Sequence, residues 1–222
     1  MPMTADPWPL RHLVLRTPRL ELRPDDDDGL FELIEVARAG IHPPEEMPFA
    51  FPWTDAGPEA LGPNTVRHHW ERRASIVGGS FVVNFLVRLD GKVIGEQGLV
   101  AEDFPITREV STGSWLGRAC QGQGFGTEMR AAVLMFAFDH LGAETARSSA
   151  LDGNEASAAV SRKLGYRPDG TRLLVVRGRR RVERRFLLTA QDFVRPKWTL
   201  YTEGADACVP FLASGQIPPV KP

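Results

Sequence analysis

The chain has few cysteines, no long apolar run and almost no net charge. Its 222 residues include two cysteines, and the formal net charge at pH 7 is −1. Two cysteines are too few for a disulfide framework, so we expect a reducing compartment, the cytoplasm. No stretch reaches the ~18 apolar residues of a membrane-spanning helix, and we expect no membrane partner. Because nucleic-acid binders concentrate positive charge, the balanced composition also argues against a nucleic-acid partner.

Two further signals are absent. The first twenty residues contain no continuous apolar segment followed by a small-residue cleavage site, so we expect no secretory signal. The histidines do not follow a metal-ligand spacing, and we expect no metal. Proline, in contrast, is abundant and clusters at 2–9, 43–63 and 209–222, which marks loops and tails.

The order of apolar patterns predicts a mixed fold. A run of acids at 25–28 precedes an apolar stripe with helical spacing, which is typical of a capped helix. Asp90-Gly91 separates two β-patterned runs and indicates a tight hairpin. Residues 41–64 form a long Pro-rich connection, either a substrate wall or a loop packed on the core. We predict strands at 13–23, 81–89, 92–100, 109–116, 144–151, 171–177 and 182–188, and helices after residue 28 and at 65–77, 124–141 and 154–164.

A glycine-rich segment carries the strongest chemical signal. It follows the strand that ends at Leu116 and holds Gly117, Gly122, Gly124 and Gly126 before a long apolar helix. Glycines let a backbone approach a ligand closely, and the free N–H groups of a helix N-terminus favour a pyrophosphate. A nucleotide site is the alternative. However, no Gly-Lys-Ser/Thr ends the loop, and hairpins rather than a βαβ unit precede it.

Two motifs in this region resemble a known family. Gln121-Gly-Gln-Gly-Phe-Gly126 resembles the Q/R-x-x-G-x-G/A signature of the GNAT superfamily of acyltransferases. The segment from Asn154 to Tyr166 resembles the helix that follows it in that superfamily, and 16–23 is similar to the first strand of the RimJ/RimL-like branch. The resemblance covers roughly residues 13–193. It leaves 1–12 as an N-terminal extension and 194–222 as a C-terminal tail.

The resemblance implies an α+β fold with a central, mostly antiparallel, splayed sheet of about seven strands flanked by helices. Coenzyme A would lie in the gap between the strand that ends at Leu116 and the strand 144–151, as acetyl-CoA or another acyl-CoA. Asn154 would reach the pantetheine arm, or would simply cap its helix. The implied cofactor-binding residues are Trp115, Leu116, Gly117, Gln121, Gly122, Gln123, Gly124, Phe125, Gly126, Thr127 and Asn154.

Acyl transfer to an amine needs a base for the amine and stabilisation of the leaving thiolate. Glu96 is the first candidate base and Glu109 the second, with Glu102 and Asp103 behind them, although each could be a plain surface charge. Ser157 matches the family position from which a hydroxyl could protonate the thiolate. Alternatively, it is a small residue at which its helix packs against a neighbour. Some relatives carry a tyrosine one turn later, where this chain has Ser161.

The sequence therefore predicts an N-acyltransferase that moves an acetyl group, with succinyl as the alternative, from acyl-CoA to a primary amine. A protein N-terminus, a lysine and a small amine are all open as acceptors. The alternatives are a non-catalytic acyl-CoA sensor, a small-molecule acetyltransferase acting on an antibiotic or polyamine, and a nucleotide-binding module. Loops 41–64 and 102–108 and the arginine-rich hairpin near 178–182 would select the acceptor. A homodimer is plausible for this branch.

Overall fold

The computed structural model describes residues 6–77 and 79–213, which build one nine-stranded sheet. The strands lie in the order β7-β8-β6-β5-β4-β3-β2-β1-β9, and every neighbouring pair is antiparallel except β5 and β6. The predicted mixed α+β class with a mostly antiparallel sheet is confirmed. The strands are β1 Val14–Arg16, β2 Leu20–Pro24, β3 Phe81–Leu89, β4 Lys92–Ala101, β5 Glu109–Leu116, β6 Thr145–Leu151, β7 Arg167–Val176, β8 Arg179–Thr189 and β9 Tyr201–Glu203.

Six α-helices flank the sheet within the described residues. They are α1 Asp27–Arg38, α2 Pro58–Ala74, α3 Phe104–Thr107, α4 Phe125–Met135, α5 Glu155–Lys163 and α6 Ala205–Ala213. A π-helical segment, Phe136–Leu141, continues α4. Nearly every residue of α4 is buried, as its all-round apolar pattern predicts. A helix enclosed in this way holds its N-terminus in a fixed place.

The expectation of about seven strands was too low. The predicted strand 13–23 is two strands, because a turn at Thr17 separates β1 from β2. The Thr17 N–H donates to the Leu20 carbonyl, and the Thr17 hydroxyl accepts from the Leu20 N–H. The second extra strand is β9, which pairs antiparallel with β1.

Part of the predicted tail 194–222 belongs to the fold. It contributes β9 and then α6, whose Cys208 and Leu212 are buried in the core. Trp8 of the predicted extension 1–12 contacts Phe211 edge-on, with ring centroids 5.3 Å apart. Residues 1–5, 78 and 214–222 lie outside the described residues. The division into extension, domain and tail stays a prediction.

The boundary between the long connection and the second helix was predicted wrongly. Helix α2 begins at Pro58, not at residue 65. Proline at the first helical position removes an N–H that has no partner there in any helix. Pro63 lies in the second turn, is exposed and removes one backbone hydrogen bond, so the helix continues through it. The open connection is thus shortened to 41–57.

The acidic run at 25–28 begins α1, as predicted. The Asp26 side chain accepts a hydrogen bond from the Gly29 N–H at 2.7 Å and caps the helix. Replacing Asp26 with alanine should therefore lower the free energy of unfolding by about 1 kcal/mol. Urea unfolding measures this loss. Asp28→Ala is the matched control, because Asp28 is exposed in the first turn and does not cap. Equal losses in both variants would contradict the assignment.

A gap opens in the sheet between β5 and β6. The two strands pair only from 109–111 on β5 to 145–147 on β6. Beyond these residues β5 pairs with β4 alone and β6 with β8 alone. One face of the sheet packs on α4, and the other carries α1, where Leu30 and Leu33 pack with Trp115. We call this opening the splay; it connects the two faces at the centre of the molecule.

Candidate functional site

The glycine loop presents free backbone donors beside the splay. Gly122 and Gly124 have φ of +76° and +83°, a left-handed conformation that suits glycine. Gly124 is the N-cap of α4. Among the described residues, no hydrogen-bond acceptor pairs with the backbone N–H groups of 122–126. Together with the positive end of the α4 dipole, these donors form a site for a phosphate or pyrophosphate.

Side chains of the same segment hold the loop in place. The Gln121 amide donates to the carbonyls of Leu116 and Ile41, both at 2.8 Å. The Gln123 amide donates to the Ala119 carbonyl at 2.9 Å. Both predicted ligand residues therefore support the loop through their side chains. The Gln121 N–H donates to the Arg118 carbonyl at 3.3 Å, so of the two residues only Gln123 keeps its backbone N–H for a ligand.

The edge of β5 that faces the splay offers fewer groups than the prediction assigned. The Gly117 N–H donates to the Ile94 carbonyl at 2.9 Å, so it is directed at β4 and not at a ligand. Backbone groups alternate in direction along a strand, so those of Leu116 and Ser114 face the splay. The Trp115 side chain lies on the opposite face of the sheet, against α1.

A pocket of about 300 Å³ adjoins the N-terminus of α4. Gly124 and Thr127 form one side of it, and Lys163 of α5 and Trp198 form the other. Arg19 also lines it, where its guanidinium pairs with Glu128 and lies over the Phe125 ring. The pocket continues from the phosphate-binding amides, and its cations and indole suit a phosphorylated aromatic group.

The helix beyond the splay is capped by the residue predicted to contact the pantetheine arm. The Asn154 side chain accepts from the Ser157 N–H at 3.1 Å, so the capping role is present. Ser157 is half-buried, and its carbonyl accepts from the Ser161 hydroxyl at 3.2 Å. Ser161 is fully buried and points at α4 rather than at open space.

A cavity of about 770 Å³ lies on the opposite face of the sheet. Its floor includes Glu96 of β4 and Ser114 of β5, and α2 forms one wall. The connection 41–57 forms another wall. Its Phe49 and Trp53, together with Trp115 of β5, form an aromatic row with successive ring centroids 5.4 Å apart. The connection 41–57 lines the cavity, whereas residues 102–108 do not. Phe49 also packs against the buried residues Met47 and Leu151, so the position of the connection agrees with both interpretations, a substrate wall and a loop packed on the core.

Glu96 belongs to a buried chain of charges at the cavity floor. Its Oε2 lies 3.5 Å from His69 Nε2 and accepts from the Trp115 indole at 3.2 Å. His69 Nδ1 lies 3.2 Å from Asp25 Oδ2, and Asp25 accepts from Arg73 at 2.7 Å. The side chains of His69, Asp25 and Glu96 are 2%, 5% and 15% exposed, so Glu96 is the most accessible of the three. His69 and Glu96 both line the cavity.

The two carboxylates keep His69 charged. Burial alone would lower the pKa of His69, but the hydrogen bonds to Asp25 and Glu96 raise it to about 9. At neutral pH this histidine is an imidazolium that donates from both ring nitrogens. Glu96 Oε1 has no partner among the described residues. A cation entering the cavity therefore finds a fixed carboxylate with one free oxygen.

The other candidate bases lie elsewhere. Glu109 accepts from Arg147 at 2.6 Å and from Thr145 at 3.0 Å, and it pins the closed end of the splay. Glu102 and Asp103 are exposed outside the cavity. Sequence reasoning missed His69 and Asp25. His69 lies on α2 and Asp25 follows β2, and nothing in the sequence around either residue indicates that the two side chains meet.

Comparison with known proteins identifies the family. Residues 13–167 match the sequence model of the acetyltransferase (GNAT) domain. The chain belongs to the GNAT acetyltransferase family, and by class it is an N-acyltransferase that uses acetyl-CoA or another acyl-CoA.

Solved structures place the chain near the RimJ and RimL enzymes. Mycobacterium smegmatis RimJ, in complex with CoA-disulfide, is 20% identical with a TM-score of 0.68, over 95% of this chain and 98% of that one. RimL, described as a ribosomal L7/L12 α-N-protein acetyltransferase in complex with coenzyme A, is 17% identical with a TM-score of 0.60, over 78% and 95%. A GCN5-related N-acetyltransferase from Brucella melitensis is 22% identical with a TM-score of 0.64, over 86% and 84%. At these identities the structures support the fold.

In the range 6–213, apart from residue 78, no helix is both long and apolar enough to cross a membrane. The same residues contain no cluster of three or more His, Cys, Asp or Glu side chains arranged to hold a metal ion.

Proposed function

We propose that the chain transfers an acyl group directly from acyl-CoA to a primary amine, with Glu96 as the base. The observation that carries this proposal is the position of Glu96. Glu96 lines the cavity, and its Oε1 has no partner among the described residues. Ser114, on the neighbouring strand, also lines the cavity, and its backbone faces the splay. An amine in the cavity thus has a carboxylate on one side and the splay on the other.

The leading acceptor is the α-amine of a protein N-terminus. The cavity of about 770 Å³ accommodates the first residues of a peptide, and its aromatic row supplies an apolar wall. The description of RimL as an α-N-protein acetyltransferase agrees with this choice. A small amine is the second candidate. Acetyl is the first acyl group to test and succinyl the second. A cytoplasmic location and a homodimer stay predictions.

For the donor, we propose that the pyrophosphate binds the amides of 122–126 and that Leu116 and Ser114 contact the pantetheine arm. Asn154 faces this arm from α5. The role of Ser157 as a proton donor to the leaving group remains a proposal from the family motif. In the reaction Glu96 takes the proton of the bound ammonium, directly or through one water, and the neutral nitrogen then attacks the acyl carbon.

The decisive experiment is calorimetric titration with CoA, acetyl-CoA, succinyl-CoA, ATP and NAD, followed by turnover assays. The assays detect released CoA thiol with N-terminal peptides, lysine-containing peptides and polyamines as acceptors. Tight CoA binding and turnover of an N-terminal peptide are expected. Binding of ATP or NAD without CoA would overturn the proposal. Acyl-CoA binding without turnover of any amine would favour the sensor interpretation instead.

The pocket beside α4 yields a sharper test of the donor pose. If Lys163 contacts the 3′-phosphate of CoA, Lys163→Ala should weaken CoA binding about tenfold, the size of one charge-assisted hydrogen bond. Affinity for dephospho-CoA should hardly change. Calorimetry with both ligands measures the difference. Lys197→Ala is the matched control, because Lys197 is exposed and does not line this pocket. Equal weakening for both ligands would place the 3′-phosphate elsewhere.

A further inference from the structure

Arg130 of α4 is a buried cation without an anionic partner. It is 3% exposed. Its Nη atoms donate to three neutral hydroxyls: to Ser161 at 2.9 Å, and to Ser114 and Ser148 at 3.2 Å each. Its Nε has no partner. No carboxylate of the described residues acts on it, and burial lowers its pKa. A buried charge normally requires a counter-charge, so burying this arginine lowers the free energy of unfolding, and a purely structural role would not explain that cost.

The guanidinium lies where the sheet comes apart. The last backbone pair between β5 and β6 is Ser111 with Arg147, and just beyond it Arg130 connects Ser114 of β5 to Ser148 of β6. Arg130 therefore spans the bottom of the splay from the α4 side. At this point of the splay, the hydroxyls of Ser114 and Ser148 lie between the opening and the guanidinium.

Ser114 links this charge to the reaction site. Its Oγ accepts from Arg130, so its own O–H remains to donate outward. Ser114 is half-buried and lines the acceptor cavity. A hydroxyl that accepts from a cation becomes a stronger donor, and Coulomb interactions are strong where water is excluded.

We propose that Arg130 acts through Ser114 as the electrostatic support of the leaving thiolate. This inference rests on the acyl transfer proposed above. As the amine nitrogen bonds to the acyl carbon, the carbon–sulfur bond breaks and the sulfur takes the electron pair. The ammonium proton that Glu96 accepted before the attack passes to solvent, so Glu96 can accept the second proton, which the nitrogen releases as the amide forms, and the sulfur leaves as a thiolate. The positive charge stabilises this sulfur anion without transferring a proton, and Arg130 is a positioning residue rather than a catalytic one.

The pKa of the CoA thiol in the complex tests this proposal. Free thiols titrate near pH ~8.5. Bound to the wild-type protein, the CoA thiol should titrate at least about one pH unit lower, a tenfold gain in the thiolate-to-thiol ratio. The readout is thiolate ultraviolet absorbance against pH, as the difference between protein saturated with CoA and with S-methyl-CoA, which cancels the protein's own cysteines. Tyr166 is the one titratable group of the described residues that acts on Arg130, and burial raises its pKa, so it stays neutral.

Variants separate the charge from the fold. Arg130→Met should return the thiol to its free value, and Arg130→Lys should keep part of the shift. If Arg130→Met does not fold, Ser114→Ala and Ser161→Ala replace it. The first removes the hydroxyl next to the splay and should reduce the shift, whereas the second removes a hydroxyl on the α5 side and should not.

The outcomes are distinct. An unshifted thiol in the wild-type complex would overturn the role of Arg130 while leaving the proposed function intact. An equal shift in wild type and Arg130→Met, or in wild type and Ser114→Ala, would assign the effect to the loop and the α4 dipole and would also overturn it. Absence of CoA binding in calorimetry would overturn this inference and the proposed function together.

Discussion

Glu96→Gln should lower kcat for amine acylation by about 10² to 10³-fold, the usual contribution of a positioned general base. The substitution keeps the shape of the side chain and the contact with the Trp115 indole but removes the charge that accepts the ammonium proton. The apparent affinity for acyl-CoA should hold, because we propose that the donor binds at the glycine loop and the splay, and Glu96 is not among the residues assigned to it. Steady-state kinetics with saturating acetyl-CoA measures kcat, and calorimetry measures the donor affinity.

The pH dependence separates loss of a base from general damage. Without Glu96, only acceptor that is already neutral reacts. For a peptide α-amine with a pKa near ~8, the variant's rate should therefore rise about tenfold from pH 6 to pH 7 and level off above pH 8. The wild-type rate should rise less steeply over this range. Glu109→Gln is the matched comparison, since Glu109 pairs with Arg147 at the closed end of the splay. A larger loss of kcat in Glu109→Gln than in Glu96→Gln would move the base to that position.

The donor half of the site could be predicted from the sequence because it is local. The glycines, the helix that follows them and Asn154 lie within about forty residues of one another in the chain. Gly122 and Gly124 do adopt the left-handed backbone that their residue type favours, and Gly124 begins α4. What the pattern could not show is which strand groups face the splay, since that depends on the pairing of β5 with β4.

The acceptor half could not be predicted, because it is assembled from distant segments. Asp25 follows β2, His69 lies on α2 and Glu96 on β4, and only the folded sheet brings them together. The acidic run at 25–28 illustrates the difficulty. Its capping role at Asp26 is a local property and was predicted, whereas the buried pairing of Asp25 with His69 and Arg73 has no local signal.

The His69 charge should make the protein less stable as pH rises above neutrality. The folded pKa of about 9 lies above the ordinary histidine pKa of 6.5, so the stabilisation is complete below pH 6.5 and is lost as pH rises through about 9. The difference between these values corresponds to about 3 kcal/mol of unfolding free energy. Urea unfolding of the wild type at pH 6 and pH 9.5 should show a loss of this order.

Replacing the histidine removes both the stabilisation and its pH dependence. His69→Gln leaves Asp25 and Glu96 buried without the cation between them, so at pH 6 it should cost about 3 to 5 kcal/mol, the usual cost of breaking a buried ion pair. Between pH 6.5 and 9.5 its stability should fall less than that of the wild type. His68→Gln is the control on the same helix. Burial lowers the pKa of His68, so any stability linked to it is lost as pH falls, not as it rises. If His69→Gln and the wild type lost stability in parallel up to pH 9.5, the pKa of His69 would not be raised in the folded protein, and the assignment of a buried imidazolium would be wrong.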